Sequence, residues 1–203
     1  DLKNYLNTMY YGGTSVTCYN GQNNQTTTCP TGTIDETSKS FIDNHSWNTG
    51  AIKIAESTDT LLFYQAERGM VSGKSSCSDG DNCNDTVERT TTWPGYIGLP
   101  YITDYAYASS ENICETNMVK QDSSNAYICK NNNWMFKNTL YWTLSPYASS
   151  GYSRLVWDVS SVGSVGSYDA APVREVFPAI YLKSNVLKLE GTGTSTDPYE
   201  LSL

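Results

Sequence analysis

Two apolar segments frame the carboxyl-terminal part of the chain. The first, Trp134–Leu144, carries Trp142 and Leu144 two positions apart, and the second, Val176–Leu182, is almost wholly apolar, so both are predicted to be buried strands. Residues 145–175 between them are dense in Ser, Gly, Tyr, Asp, Val and Arg. A long, chemically varied segment held between rigid ends is typical of a binding surface on a scaffold.

Within this middle segment the pattern predicts one strand, Leu155–Val159, and two glycine turns, around Gly163 and Gly166. Large aromatic residues in apolar segments are usually structural, which assigns three tryptophans to the core. These are Trp134, Trp142 and Trp157.

The amino-terminal half begins with a predicted amphipathic helix over residues 1–11, ended by Gly12 and Gly13. Its apolar face comprises Leu2, Tyr5, Leu6 and Met9. A second short helix is predicted over Thr37–Asp43. Residues 18–33, between these two helices, are predicted to form a polar loop closed by a cysteine pair.

Strands are expected to dominate from residue 51 onward. Ala51–Ile54 and Leu61–Ala66 have the apolar bias and the length of strands. Further along, Thr103 can cap a short helix whose tyrosines, Tyr105 and Tyr107, pack inward.

Composition limits the possible partners. The chain has 203 residues, enough for a sizeable core, and we expect a single domain over residues 1–203. Only 17% of residues are charged, 12% are aromatic, and the formal net charge is −8. That charge disfavours nucleic acid and anionic membranes as partners, since neither is attracted to it. Carbohydrate and protein ligands remain open.

Six cysteines fall into three close pairs: Cys18 with Cys29, Cys77 with Cys83, and Cys114 with Cys129. The cysteines lack the CxxC spacing of a zinc site and His45 is the only histidine, so local disulfides are the favoured interpretation. Sequence alone does not fix which cysteines pair. Disulfides favour an oxidising, extracellular compartment at the cell surface. The sequence shows no signal peptide or transmembrane run, so any export or membrane segment is expected to have been removed before Asp1.

The acidic stretch at residues 72–86 is the weak metal candidate. Asp79, Asp81 and Asp85 are oxygen donors suited to calcium, but the spacing lacks the glycine and terminal glutamate of an EF-hand loop. A solvated loop is the favoured interpretation, so no cofactor is predicted and calcium stays an alternative.

Catalysis is not indicated. A hydrolase would need His45 as its base beside a serine and an aspartate, yet no GxSxG-type elbow is present. The Gly191–Thr194 segment precedes Asp197 and Pro198 as a turn and lacks the pattern of a phosphate-binding loop. The chain is predicted not to be an enzyme.

A run of motifs in the second half, residues 97–203, resembles C-type-lectin-fold ectodomains of bacterial surface and pilin-like proteins. Some of those relatives are variable proteins of diversity-generating retroelements. The motifs are Ile102–Ala108, Cys114 and Cys129, Asn133 and Trp134, Trp142–Pro146, Val156–Val159 with Gly163 and Val165, Phe177–Ser184, and Gly191–Tyr199.

The resemblance implies an α+β, C-type-lectin-like fold with short helices around small antiparallel sheets and a loop-rich binding face over residues 147–175. The carried-over ligand-binding residues are Tyr147, Ser149, Ser150, Tyr152, Arg154, Asp158, Ser161, Ser164, Ser167, Tyr168 and Asp169, with Arg174 and Glu175 at the rim. Relatives commonly have an arginine before the proline of the last strand, whereas this chain has Phe177. The salt bridge that such an arginine supplies is then absent.

The composition of this face supports binding independently, because Tyr gives rigid contacts while Ser, Gly and Asp give adaptable hydrogen bonds. An ordinary solvated loop with Tyr152 and Tyr168 packed down is the structural alternative. The predicted function is a surface-displayed adhesion domain that binds a protein or glycan ligand on another cell or molecule, with pilus assembly as a further expectation. A calcium-dependent lectin and an architectural pilus or envelope subunit are the alternatives.

Overall fold

The computed structural model has an α+β fold of short helices and small antiparallel sheets, which confirms the coarse fold class. It describes residues 2–20, 25–50, 60–70, 91–116, 128–147, 154–194 and 196–203, without the side chain of Leu62. The strands are β1 Cys18–Asn20, β2 Gln25–Thr27, β3 His45–Asn48, β4 Thr92–Gly95, β5 Ile97–Gly98, β6 Tyr141–Pro146, β7 Leu155–Val159, β8 Val165–Asp169, β9 Ala179–Ile180, β10 Leu187–Lys188 and β11 Leu201–Ser202.

The first helix, α1, confirms the amphipathic pattern. An α-helical turn, Leu2–Asn4, continues into a π-helical segment, Tyr5–Tyr11. Leu6 is buried, and the helix ends at Gly12, where a Cβ would lie only 2.7 Å from the carbonyl oxygen of Thr8. A glycine is therefore required where the chain leaves the helix.

A small hairpin and a second helix follow. β1 pairs antiparallel with β2, and the disulfide between Cys18 and Cys29 closes the hairpin, where the sequence predicts a loop. Helix α2, Glu36–Phe41, confirms the second predicted helix with bounds shifted by one or two residues. Asp35 caps it, because its Oδ1 accepts a hydrogen bond of 2.9 Å from the Ser38 amide.

Helix α3, Thr60–Glu67, replaces the predicted strand Leu61–Ala66, so that prediction is wrong. Its buried residues include Phe63, Ala66 and Glu67, which lie three and four positions apart and so share one helical face. A short apolar run fits either a buried strand or a buried helix, and here tertiary packing decides. The other predicted strand, Ala51–Ile54, lies outside the described residues.

Two further helices of the described residues are α4, Ile102–Tyr107, and α5, Asn112–Thr116. Asp104 holds the start of α4, because its Oδ2 accepts a 2.8 Å hydrogen bond from the Tyr101 amide. Thr103 is not the cap that the sequence predicts: it lies inside the helix and is buried. Tyr105 packs inward as predicted, whereas Tyr107 is exposed.

Strands β6, β7 and β8 form the central antiparallel sheet, in that order. The strand predicted over Leu155–Val159 is confirmed as β7. Because successive side chains point to opposite faces of a sheet, Tyr141 joins a cluster with α3 and α4 while Trp142 joins a second cluster with α1 and β5. The sheet therefore lies between two apolar layers.

The turn between β7 and β8 is fixed to the helical layer. Gly163 has a φ of +86°, and its carbonyl oxygen accepts a hydrogen bond of 3.0 Å from the hydroxyl of Tyr105. The turn predicted around Gly163 is thus confirmed. The turn predicted around Gly166 is wrong, because that glycine pairs with Asp158 inside β8.

Both framing segments are strands only in part. The first is extended from Tyr141, where β6 begins, and the second only over the two residues of β9, which pairs with β5. Trp142 and Trp157 lie in the core as predicted, but Trp134 is 75% exposed, so its assignment to the core is wrong.

The disulfide between Cys114 and Cys129 has both residues buried and confirms a second predicted pair. The pair Cys77 and Cys83 lies outside the described residues. No helix in the described ranges is long and apolar enough to cross a membrane.

Candidate functional site

An aromatic pocket of about 560 Å³ opens beside α4. Five parts of the chain converge on it: Tyr64 of α3, Pro100, helix α4 with Ala108, residues 134–141, and residues 177–180. Its lining residues are Tyr64, Pro100, Asp104, Tyr107, Ala108, Trp134, Met135, Lys137, Tyr141, Phe177, Pro178, Ala179 and Ile180. The pocket is larger than the cavity of about 440 Å³ beside Arg174, and its volume lies in the usual range for small-molecule sites.

Asn133 explains why Trp134 projects into solvent. The amide of Asn133 is buried: its Nδ2 donates a 2.7 Å hydrogen bond to the Tyr105 carbonyl, and its Oδ1 accepts one of 2.9 Å from the Met135 amide. The backbone of Trp134 is then held by a 3.4 Å hydrogen bond to the Ala108 carbonyl. Because the chain turns sharply about the inward amide, the next side chain points outward.

Paired aromatic rings form the walls and the floor. Tyr64 and Tyr107 meet edge to face with ring centroids 5.6 Å apart, and Tyr141 and Phe177 meet edge to face at 5.0 Å. The hydroxyl of Tyr141 donates a 3.3 Å hydrogen bond to the Met135 carbonyl. Burial raises the pKa of Tyr141, so this hydroxyl keeps its proton. Such interlocked rings give a preformed apolar surface.

Charged groups of both signs stand at the edge of the pocket. Asp104 accepts a short hydrogen bond from Arg68, whose guanidinium lies 3.8 Å from the ring centroid of Tyr64. Lys137 is exposed and donates a 3.2 Å hydrogen bond to the Trp134 carbonyl. With Asp104 paired to Arg68, the edge offers donors and acceptors without a strong field of one sign.

A buried carboxylate, that of Glu67, lies beside Arg68, the partner of Asp104 at the edge of the pocket. Glu67 is 2% exposed and accepts short hydrogen bonds from the hydroxyls of Thr103 and Ser145, while Arg68 Nη1 lies 3.7 Å from its Oε2. Burial raises the pKa of Glu67 to about 7, against the opposing effect of the two hydroxyl hydrogen bonds. The group ties α3, α4 and β6 together.

Part of the predicted binding face gathers at one end of the central sheet. We name Arg154, Tyr168 and Asp169 the sheet-end patch. Arg154 and Asp169 form an ion pair, and Tyr168 is 52% exposed. Tyr147 lies outside the patch, on the opposite face of the sheet: it is half-buried, with its ring centroid 5.2 Å from that of Trp157.

Two predicted site residues are buried under this patch. Arg174 Nη1 lies 2.7 Å from Asp158 Oδ2, and both side chains are 8% exposed. The guanidinium is stacked between two rings, 4.6 Å from the centroid of Trp142 and 4.7 Å from that of Tyr168. Burial raises the pKa of Asp158, while the charge of Arg174 opposes that shift. The pair holds Tyr168 in place.

The remaining predicted residues are spread out. Ser161 and Ser164 lie at the far end of β7, where Ser164 exchanges a 2.6 Å hydrogen bond with Ser160, while Ser167 is half-buried within β8. Glu175 is exposed at the edge of β6, where its backbone bonds with Leu140 and Trp142. The other three, Ser149, Ser150 and Tyr152, lie outside the described residues.

The calcium candidate, Asp79, Asp81 and Asp85, lies outside the described residues, and His45 contacts Asp43, with its Nδ1 3.6 Å from Asp43 Oδ2. The part of the chain that is described has no group of three metal-ligating side chains. His45 stacks on Tyr181 with ring centroids 3.7 Å apart.

The aromatic pocket is the site that the sequence did not predict. Tyr64 lies on the helix taken for a strand, and Trp134 and Tyr107 were assigned to the core. The available signal was the run Asn131–Asn133 before Trp134, since a buried amide there turns the following side chain outward.

No family model, curated protein or solved structure matches this chain. Functional inference therefore depends on the geometry of the sheet-end patch and of the aromatic pocket.

Proposed function

We propose that this chain is an extracellular recognition domain that binds a ligand through the sheet-end patch. The observation that carries the proposal is the exposure of Tyr168 above the buried pair of Arg174 and Asp158. A tyrosine whose ring rests on a fixed guanidinium offers a rigid, amphipathic contact and loses little side-chain entropy on binding.

The neighbours of Tyr168 favour a protein ligand over a glycan. The ion pair of Arg154 and Asp169 is partly exposed beside it, and tyrosine and arginine are the residue types that most often anchor protein interfaces. Adhesion to a protein displayed on another cell or molecule is the function that this chemistry supports best.

Two disulfides are compatible with display outside the cell. They join Cys18 with Cys29 and Cys114 with Cys129, and such bonds persist in oxidising compartments.

The fold is proposed to be C-type-lectin-like and the chain to be a variable protein of a diversity-generating retroelement. The motifs over residues 97–203 and the three-stranded sheet that carries the patch support this relationship. A reverse transcriptase gene beside a near-copy of the region encoding residues 145–175 is the expected genomic arrangement. A genome with neither would contradict the retroelement part alone.

Binding to arrays of cell-surface ectodomains and glycans tests the function. Each hit is remeasured with Tyr168→Ala and with Arg154→Ala, and the dissociation constant is expected to rise roughly tenfold or more for an anchor residue. Leu189→Ala is the matched control, because Leu189 is also exposed but follows β10, outside the patch. If every ligand binds both patch variants with the same affinity as the unmodified protein, the proposed function is wrong.

A further inference from the structure

The geometry points to a second binding site: the aromatic pocket binds a pyranose sugar, as a free glycoside or as a unit of a glycan. This inference is independent of the sheet-end patch, because the two surfaces share no residue. It rests on the aromatic walls, on the polar groups at the edge and on the balance of charge.

The aromatic walls suit a flat ring with apolar faces. Trp134 is the most exposed of the five tryptophans, and it lines the same pocket as Tyr64 and Tyr107. The C–H groups on one face of a pyranose are apolar, so the sugar gains contact with an indole or phenol ring while its hydroxyls stay at the edge. An exposed tryptophan set among other aromatic rings in a concave site marks a ligand-binding groove.

The polar edge suits hydroxyl groups. Sugar hydroxyls both donate and accept, so they need a site that offers both functions. Asp104 has carboxylate lone pairs beyond those used by Arg68 and the Tyr101 amide, and Lys137 has ammonium hydrogens beyond the one given to the Trp134 carbonyl. A hydroxyl on the ring edge therefore finds an acceptor on one side of the pocket and a donor on the other.

The balance of charge favours an uncharged ligand. Asp104 is neutralised by Arg68, and Lys137 is a single exposed cation. An anionic ligand would meet one lysine on a chain of net charge −8, and a cationic ligand would meet a carboxylate that is already paired. A neutral polyol ring avoids both costs.

The backbone of the pocket argues against an extended peptide. A peptide that adds to a sheet edge takes hydrogen bonds from free N–H groups. Pro100 and Pro178 line the pocket and have no N–H group, and Ala179 and Ile180 already pair with β5. Side-chain stacking is thus the main interaction that the pocket offers.

The pocket is also held rigid, as a selective sugar site requires. The buried disulfide of Cys114 and Cys129 closes the chain just before Asn133, which in turn is bonded to α4. Trp134 then needs little reorganisation on binding, which lowers the entropic cost of the complex.

The test uses acrylamide quenching of tryptophan fluorescence in the intact chain. The probes are the methyl pyranosides of glucose, galactose, mannose and N-acetylglucosamine, and the acyclic polyol sorbitol is the control ligand because it has no flat face. At least one pyranoside is expected to protect the exposed tryptophan from quenching in a saturable way, and sorbitol is expected to have no effect. Lack of protection by every pyranoside would overturn the inference.

Variants locate the binding. Trp134→Ala removes the quenched fluorophore, so its binding is measured by calorimetry or ligand-observed NMR, where affinity is expected to fall roughly tenfold or more. Trp134→Phe keeps a smaller ring and is expected to restore part of that loss, and Lys137→Ala is expected to weaken binding by a smaller factor. Tyr168→Ala, on the sheet-end patch, is expected to leave pyranoside affinity unchanged.

Two outcomes separate this inference from the proposed function. Pyranoside binding that is lost in Tyr168→Ala but kept in Trp134→Ala would assign the sugar to the patch and overturn the pocket assignment. Protection of Trp134 by N-acetylphenylalanine amide, with no protection by any pyranoside, would make the pocket an apolar side-chain site and would also overturn it. Loss of protein ligands in Tyr168→Ala bears on the patch alone.

Discussion

Each of the two surfaces stands on a buried carboxylate, but the two carboxylates are compensated differently. Under the sheet-end patch, Asp158 faces Arg174 at 2.7 Å, so opposite charges meet directly. Beside the aromatic pocket, Glu67 is held mainly by two hydroxyls, with Arg68 at 3.7 Å and shared with Asp104. The stability of the first arrangement depends mainly on Arg174. The stability of the second depends mainly on whether Glu67 is protonated, and so on pH.

Removal of the arginine from the first site has the largest expected effect. Arg174→Ala leaves Asp158 buried without a counter-charge and is expected to lower the free energy of unfolding by about 3–5 kcal/mol. Urea denaturation at pH 8 measures the loss. The double variant Asp158→Asn with Arg174→Met removes both charges and is expected to recover most of it. A loss in Arg174→Ala below about 1 kcal/mol, as for an exposed pair, would show that the comparison is wrong.

Glu67 makes stability depend on pH. Burial raises its pKa from 4.5 to about 7, so between these values the folded state binds more protons than the unfolded state. The free energy of unfolding therefore falls as pH rises through this window, by on the order of 3 kcal/mol, and levels off above it.

Urea denaturation from pH 4.5 to 8.5 follows this change, with Glu67→Gln as the matched control. The glutamine variant is expected to lose most of the slope. It keeps the part that comes from Asp158, whose raised pKa acts with the same sign. Arg68 and Asp104 face Glu67 and are unchanged in both proteins. Equal slopes in the two proteins would assign the pH dependence to other groups.

Tyr168→Ala is expected to cost about 1 kcal/mol of stability, because it removes one of the two rings that cover the guanidinium of Arg174. Thermal and urea unfolding measure the change. In an Arg174→Met background the same substitution is expected to cost less, since the cation is gone. An equal cost in both backgrounds would show that the ring does not stabilise the arginine.

Trp134→Ala is expected to have the smallest effect, within about 0.5 kcal/mol, because the side chain is mostly exposed and its backbone hydrogen bond to Ala108 is retained. Unfolding in urea checks this value. A loss of more than about 2 kcal/mol would mean that Trp134 packs into the protein, and its role in the aromatic pocket would then be structural.

The parts of the fold that sequence predicted are those with a strong local pattern. The strand Leu155–Val159 is a short apolar run followed by a glycine turn, and the first helix has its apolar face at helical spacing before two glycines. The disulfides of Cys18 with Cys29 and Cys114 with Cys129 join neighbours in sequence. The third predicted pair and three of the predicted binding residues lie outside the described residues.

The parts that sequence missed depend on partners far along the chain. The run Leu61–Ala66 fits a strand or a helix, and contacts with α4 and α5 select the helix. Glu67 resembles a surface residue until Thr103 and Ser145 are brought to it from 36 and 78 residues away. By residue type Trp134 is expected in the core, but the side chain of Asn133 is the one that is buried at this turn, and Trp134 is exposed. The sequence predicts a single binding face. In the structure its described residues lie at both ends of the central sheet and on both of its faces.

The bond between the Tyr105 hydroxyl and the Gly163 carbonyl limits how new specificities can be engineered onto this domain. A Cβ at Gly163 would lie 2.6 Å from the Cβ of Lys130, and any insertion would draw the carbonyl away from the tyrosine. Combinatorial libraries should therefore randomise outward side chains such as Arg154, Ser161 and Tyr168 while leaving the length of this turn untouched.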